Sequence, residues 1–219
     1  LNPIALFGGT FDPVHFGHIG LARAAFTQLE SSRMILLPAG NPYQKGRMPF
    51  ASAEHRLNML RLAFKEDADI EIDDRELRRR GPTYTYDTLV ELREQYGNGV
   101  SLVWLIGSDA FAGLDSWHRW HELFGLAHFA VIDRSGYQPD LANRSAEFRE
   151  EVAARLATSG GIRAKSSGAV APLGIAPRPI SSTDIRTRLA AGQSIRGLTP
   201  DAVCDYIEQH KLYRPEEKA

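Results

Sequence analysis

Gly8-Gly9-Thr10-Phe11-Asp12-Pro13-Val14-His15-Phe16-Gly17-His18-Ile19-Gly20 is the stretch on which the reading of this chain turns. Ahead of it, Ile4-Ala5-Leu6-Phe7 is a short apolar run of the length of a buried strand. Behind it, Ile19, Ala22, Phe26 and Leu29 recur at helical spacing. The sequence therefore predicts a strand, a tight turn and a helix. Gly8 and Gly9 carry no Cβ and let a ligand come close to the backbone. Asp12 precedes Pro13, which pushes it towards an extended conformation. His15 and His18 fall at the helix mouth, where unpaired N–H groups and about half a positive charge suit a phosphate. Two imidazoles at that point suit a polyphosphate that reacts. The plain alternative is a structural turn with two polar histidines at its helix start. Neither common phosphate loop is present: no G-x-G-x-x-G follows the first strand, and no G-x-x-x-x-G-K-[ST] occurs.

The composition bounds what that turn can serve. The 219 residues are 43% hydrophobic and 24% charged, which allows a substantial core. A formal net charge of −1 argues against nucleic-acid and membrane partners, so anion recognition has to be local. Cys204 is the single cysteine, which excludes an internal disulfide and a cysteine zinc site and fits a cytoplasmic protein. No apolar stretch approaches the roughly 20 residues needed to span a bilayer, and no signal-peptide pattern opens the sequence.

Further along, strands and helices alternate. Met34–Leu37, Ile70–Ile72, Ser101–Ile106 and Ala127–Ile132 read as strands. Ser52–Phe64 reads as a helix with Leu57, Leu60 and Phe64 on one face, and Thr83–Tyr96 as a helix ended by Gly97. Pro38–Pro49 holds three prolines and two glycines and is a loop. Between Gly136 and Gly168 the pattern weakens to a charged surface helix at Glu147–Leu156 and a break at Ser159-Gly160-Gly161. Two short helices follow Ser182, one ending near Gly192 and one starting after Pro200. Alternation of this kind predicts an α/β fold, a doubly wound parallel sheet with helices on both faces. Ligands of such sheets bind beyond the C-terminal strand ends. Gly8–His18, Pro38–Lys45, Gly107–Asp109 and Arg134 all fall there.

A second motif is Ile180-Ser181-Ser182-Thr183-Asp184-Ile185-Arg186. Its hydroxyls make a helix cap and Arg186 lies one turn in. Together with the first turn, it suits the outer phosphates of the same polyphosphate, since an arginine fork binds phosphate oxygens bidentately.

His15-Phe16-Gly17-His18 resembles the H-x-G-H signature of the nucleotidyltransferase superfamily. Over nearly the full length the chain is similar to the bacterial nicotinate-nucleotide adenylyltransferases. The likeness runs through GGTFDPVHFGHI, the loop Leu37–Lys45, Arg56–Leu60, Glu76–Leu89, Leu105–Phe111, Trp117, Arg134 and Ile180–Leu189 to the tail from Gly197 to Tyr213. One departure stands at Pro42-Tyr43-Gln44-Lys45, where the family loop reads Pro-Pro-His-Lys, so only Lys45 is carried over.

The resemblance implies a Rossmann-like fold with a small helical C-terminal part. Residues 1–180 would form the nucleotidyltransferase domain, and residues 181–219 would complete its phosphate site as one compact unit. It implies transfer of the adenylyl group of magnesium-bound ATP to nicotinate mononucleotide, with Mg2+ as the cofactor travelling with ATP. His15, His18 and Arg186 would be catalytic. Gly8, Gly9, Thr10, Phe11, Gly107, Asp109, Ser182 and Thr183 would join them in binding ATP. Lys45, Tyr84, Thr85, Trp117, His118 and Arg134 would bind the acceptor, with Trp117 stacking on the pyridine ring. Asp109 also reads as a helix cap for Ala110-Phe111.

Other readings fit the residues less well. Another member of the superfamily, such as a pantetheine-phosphate adenylyltransferase, leaves Gly81–Leu89 and Trp117 without a role. A class I aminoacyl-tRNA synthetase should show a K-M-S-K-S loop, which is absent. A nucleotide sensor should have lost His15, His18 or Arg186, and all three are present. His118 and His121 lack an evident third metal ligand, and Arg78-Arg79-Arg80 suits a solvated turn or a contact within a homo-oligomer.

Overall fold

The computed structural model describes residues 2–41, 48–133, 141–176 and 178–214. The apolar run Ile4–Gly9 is strand β1, and helix α1 at Phe16–Gln28 leads to β2 at Arg33–Pro38. Helix α2 (Ala53–Ala63), β3 (Ile70–Ile72), the short α3 (Arg75–Arg78) and α4 (Thr85–Tyr96) follow. Then come β4 (Leu102–Gly107), α5 (Ser108–Ala112), α6 (Trp120–Leu126) and β5 (His128–Asp133). The chain ends with α7 (Ala146–Ala153), α8 (Ser159–Ile162), β6 (Val170–Gly174), α9 (Ser182–Ala190) and α10 (Asp201–Gln209).

The six strands are all parallel, in the order β3-β2-β1-β4-β5-β6. The order reverses between β1 and β4, so the switch-point crevice opens beyond Gly9 and Gly107. Alternate strand residues serve opposite faces. Ala5 and Phe7 of β1 join the core under α1, α2, α9 and α10, while Ile4 and Leu6 join the core under α4, α6 and α7. Both faces are covered, so the strands read as continuous apolar runs without polar alternation. Helices α9 and α10 share the first of these cores through Ile185, Val203 and Ile207.

The expected strands and helices are present, with three differences of substance. β6 is an edge strand carrying Pro172, whose missing N–H is tolerated only there, and the proline masks the strand in the sequence. The glycines at 160 and 161 do not break the chain but sit in the single turn of α8. In α2 and its C-cap, Leu60 and Phe64 are buried as expected, but Leu57 is only half-buried and Arg56, Met59 and Ala63 complete the inward face. The inward arginine is the unexpected member of that face, and it has a partner at the site.

Candidate active site

The H-x-G-H turn is a reciprocal helix cap. His15 is the N-cap of α1, with its Nδ1 accepting from Gly17 N–H at 3.1 Å. His18 Nδ1 in turn accepts from His15 N–H at 3.3 Å. The two rings stack with centroids 3.7 Å apart. Gly17 is glycine because a Cβ there would stand 2.8 Å from His15 Nδ1. Since each Nδ1 accepts, the proton of each neutral ring lies on Nε2. Burial lowers the His15 pKa to about 4, so this ring is a neutral N–H donor in ordinary conditions.

The loop ahead of the helix is held by its carbonyls. Arg56 Nη1 donates to Thr10 O at 2.8 Å, Arg186 Nη1 to Asp12 O at 2.6 Å and Ser182 Oγ to Pro13 O at 2.9 Å. Thr199 Oγ1 donates to Val14 O at 2.8 Å, and Phe16 N–H is taken by Leu198 O. The Asp12–Pro13 peptide is cis. With these acceptors tied back, the turn's negative dipole ends are engaged by protein groups.

One cleft of about 340 Å³ gathers Gly8, Gly9, Thr10, Phe11, Asp12, His18, Phe50, Ser182, Thr183 and Arg186. Two helix starts, those of α1 and α9, therefore meet across it. The N-cap of α9 is Ser181, which accepts from Asp184 N–H. That leaves Ser182 to pin the turn and Thr183 Oγ1 to accept from Arg186 Nη2 at 3.1 Å. His15 is not on the cleft wall. It stands behind His18 and is 5% exposed. Gly8 and Gly9 do line the cleft, but the space their side chains would fill is occupied by rings. A Cβ would meet Trp104 at 2.7 Å and Phe11 at 2.8 Å, so packing demands these glycines, not only ligand approach.

Gly107 and Asp109 lie at the end of neighbouring β4, outside that cleft wall. The capping alternative for Asp109 fails: Gly107 is the cap position of α5, no side chain caps it, and Asp109 is the helix's second residue. On the acceptor side, Tyr84 is the cap position of α4 and Thr85 its first residue, with no side-chain cap on the N–H groups. The Tyr84 and His118 rings lie 4.6 Å apart, and Tyr86 approaches His118 edge-on at 6.1 Å. Trp117 is half-buried beside them in sequence. Lys45 and Arg134, together with Gln44, lie outside the described residues.

Three residues that were assigned no site role from the sequence converge on this turn. Arg56 is 1% exposed and Asp12 4% exposed, and Tyr213 Oη donates to Asp12 Oδ1 at 2.8 Å. A charged residue three positions before Met59 on a buried face was the available signal for Arg56. Among the described residues there is no group of three or more His, Cys, Asp or Glu side chains placed to hold a metal ion. His121 bonds Glu147 at 2.9 Å on the surface. Arg79 of the arginine run pairs with Glu91 at 2.6 Å.

A parallel sheet of this order, with a capped helix start at its switch point and a second helix start facing it, defines a nucleotide-binding α/β protein of the nucleotidyltransferase kind. The family described as Cytidylyltransferase-like matches residues 6–188. A relative from Dechloromonas aromatica, named "Probable nicotinate-nucleotide adenylyltransferase", is 43% identical over 97% of this chain and 98% of its own. One of the same name from Chromobacterium violaceum is 44% identical over 96% and 98%. The chain belongs to the nicotinate-nucleotide adenylyltransferase family, within the cytidylyltransferase-like proteins. The fold is shared with the Plasmodium falciparum nicotinic acid mononucleotide adenylyltransferase complexed with NaAD, at a TM-score of 0.70 and 20% identity. That likeness covers 97% of this chain and 98% of that one.

Proposed function

We propose that this protein transfers the adenylyl group of ATP to nicotinate mononucleotide, forming nicotinate adenine dinucleotide and pyrophosphate. The 5′-phosphate of the acceptor attacks the α-phosphorus in line as the bond to the pyrophosphate oxygen breaks. The acceptor phosphate is already anionic, so no general base and no covalent enzyme intermediate is needed. What the protein has to supply is position and charge. Holding the reactants accounts for about 7–11 kcal/mol of barrier in well-oriented reactions.

The observation that carries the adenylyl-transfer half is the meeting of α1 and α9 across one cleft, with His18, Thr183 and Arg186 on its wall. His18 gives its Nε2–H to the α-phosphate as charge develops there, in a ring held by the His15 N–H. His15 holds that ring from behind and contributes a neutral dipole. Ser182, Thr183 and Arg186 take the phosphates that leave. Gly107 and Asp109, beyond β4, take the adenosine end. Tyr84, Thr85, Trp117 and His118 take the pyridine nucleotide, and Lys45 and Arg134 add charge near the phosphates. The uncapped N–H groups of α4 suit the carboxylate that distinguishes nicotinate from nicotinamide.

Magnesium fits this site as an ion carried in on ATP. Asp12, the one carboxylate on the cleft wall among the described residues, already accepts from two N–H groups and a hydroxyl, so the ion would keep phosphate and water ligands. Its chemistry is neutralisation of phosphate charge. We assign the reaction to the cytoplasm, in keeping with the buried free thiol of Cys204. Among the described residues no helix is long and apolar enough to cross a membrane.

The test is incubation with magnesium ATP and either nicotinate or nicotinamide mononucleotide, reading pyrophosphate and dinucleotide. Preference for the nicotinate form is expected. Turnover with pantetheine phosphate in place of both would overturn the acceptor, and ATP binding without turnover on any acceptor would overturn catalysis.

A further inference from the structure

Asp12 sits at the centre of the phosphate turn as a buried carboxylate whose contacts come from two distant parts of the chain, Phe50-Ala51 and Tyr213. Oδ2 accepts from Phe50 N–H at 2.7 Å, and Oδ1 accepts from Ala51 N–H at 3.1 Å and from Tyr213 Oη at 2.8 Å. Arg186 stands beside it and donates to the Asp12 backbone carbonyl rather than to the carboxylate. A carboxylate and a guanidinium on neighbouring groups ordinarily form the strongest hydrogen-bonded pair open to either of them. Both residues line the cleft, and a pair between them would commit the Arg186 N–H groups to the carboxylate and take them from a ligand.

Two groups keep them apart. Arg56, buried and bonded to Thr10 O, lies close enough to offset the Asp12 charge. Tyr213 shares Asp12 Oδ1 with the Ala51 N–H, while Phe50 N–H takes Oδ2. The Tyr213 backbone is left-handed, with φ of 63°, and that of Lys211 is likewise at 50°. Non-glycine residues rarely adopt that region, so the tail is bent at some cost into the shape that delivers the hydroxyl. Burial and the neighbouring Asp12 raise the phenol well above its ordinary range, so it is always a donor. Arg186 is left lying over the Phe50 ring at 4.5 Å, on the cleft wall.

We propose that Tyr213 is a positioning residue for the phosphate site: its hydroxyl satisfies the Asp12 carboxylate and so keeps Arg186 available to the phosphates of the nucleotide. The proposal deepens the reading of this cleft as the ATP site and rests on it. Removing the hydroxyl leaves Asp12 Oδ1 with the Ala51 N–H as its one remaining donor of the two, and the guanidinium, already bonded to the Asp12 carbonyl, turns to that oxygen.

The experiment is a cycle of four proteins: the unaltered chain, Tyr213→Phe, Arg186→Lys and the double variant. Circular dichroism, kcat and KM for each substrate, and the calorimetric Kd for magnesium ATP are measured on each. Tyr213→Phe is expected to lower kcat/KM for ATP by roughly tenfold to a hundredfold, as misplacement of a catalytic group does, with KM for the pyridine nucleotide unchanged. In the Arg186→Lys background the same change is expected to cost much less, because the group it acts through is already lost. Additive losses, or full activity in Tyr213→Phe whatever its melting temperature, would overturn the proposal. So would a Tyr213→Phe chain that no longer folds, since the hydroxyl would then serve stability alone. If the unaltered protein makes no dinucleotide, the functional reading falls, and the ATP affinities of the four proteins still decide the role of Tyr213.

Discussion

Three atoms of side chain, or their absence, set the chemistry of the first turn: Nδ1 of His15, Nδ1 of His18 and the missing Cβ of Gly17. The two nitrogens accept the N–H groups of Gly17 and His15, and the bare Cα between them makes room for the ring. We expect His18→Ala to lower kcat by about 10²–10³ while the Kd for ATP changes less, in steady-state and calorimetric measurements. His15 offers a stability signature instead. Its pKa is about 4 when folded and near 6.5 when unfolded, so between those values only the unfolded chain takes up the proton. Stability therefore falls as pH drops through that window, by up to about 3 kcal/mol. His15→Asn keeps a cap acceptor and loses the titration, so urea unfolding followed between about pH 4.5 and 6.5 should show a flatter dependence. His15 and His18 were legible in the sequence because a cap needs residues at fixed short spacing. Arg56 was not, because its partner Thr10 is 46 residues away in the chain.

Elements here are positioned by hydrogen bonds from late parts of the chain to early ones. Helix α9 is fixed to the first turn by Ser182 and Arg186, and the segment before α10 is fixed to it by Leu198 and Thr199. Thr199 is 1% exposed, so its hydroxyl and the Val14 carbonyl have no water to fall back on. Thr199→Val is expected to cost about 1–3 kcal/mol in urea denaturation, the range for orphaning one buried polar group. At the other end of the sheet, Arg93 donates to the carbonyls of Leu126, Gly97, Val100 and Ser166, joining α4 to the starts of β4 and β5. Local pattern located most of these elements, since burial on both faces makes each strand an apolar run. It failed at β6, where Pro172 and Gly174 imitate a loop, and at α8, where paired glycines imitate a break. In both places tertiary contacts outweigh local propensity: β6 pairs with β5, and Ile162 of α8 is buried in the core.

The molecule as a whole closes its site with its last part. Ile185, Val203 and Ile207 complete the core beneath α1 and α2, while Ser182, Arg186, Thr199 and Tyr213 hold the turn that α1 begins. A fragment ending at residue 180 would expose that core and free the Pro13 and Val14 carbonyls. It is expected to unfold without a cooperative transition and to bind no ATP, as circular dichroism and calorimetry would report. A fragment that folded and bound ATP would show residues 181–214 to be an accessory. The sequence by itself determined the α/β class, the strand–turn–helix at Ile4–Gln28, the second helix start at Ser181 and the family. Those depend on periodicity, on caps and on motifs, each written within a few neighbouring residues. Only the tertiary structure decided that His15 stands behind His18, that Trp104 and Phe11 fill the space at Gly8 and Gly9, and that Arg56 and Tyr213 converge on Thr10 and Asp12. The physical reason is range: a buried charge is satisfied by whatever the fold brings to it, and no spacing in the chain records a partner 201 residues away.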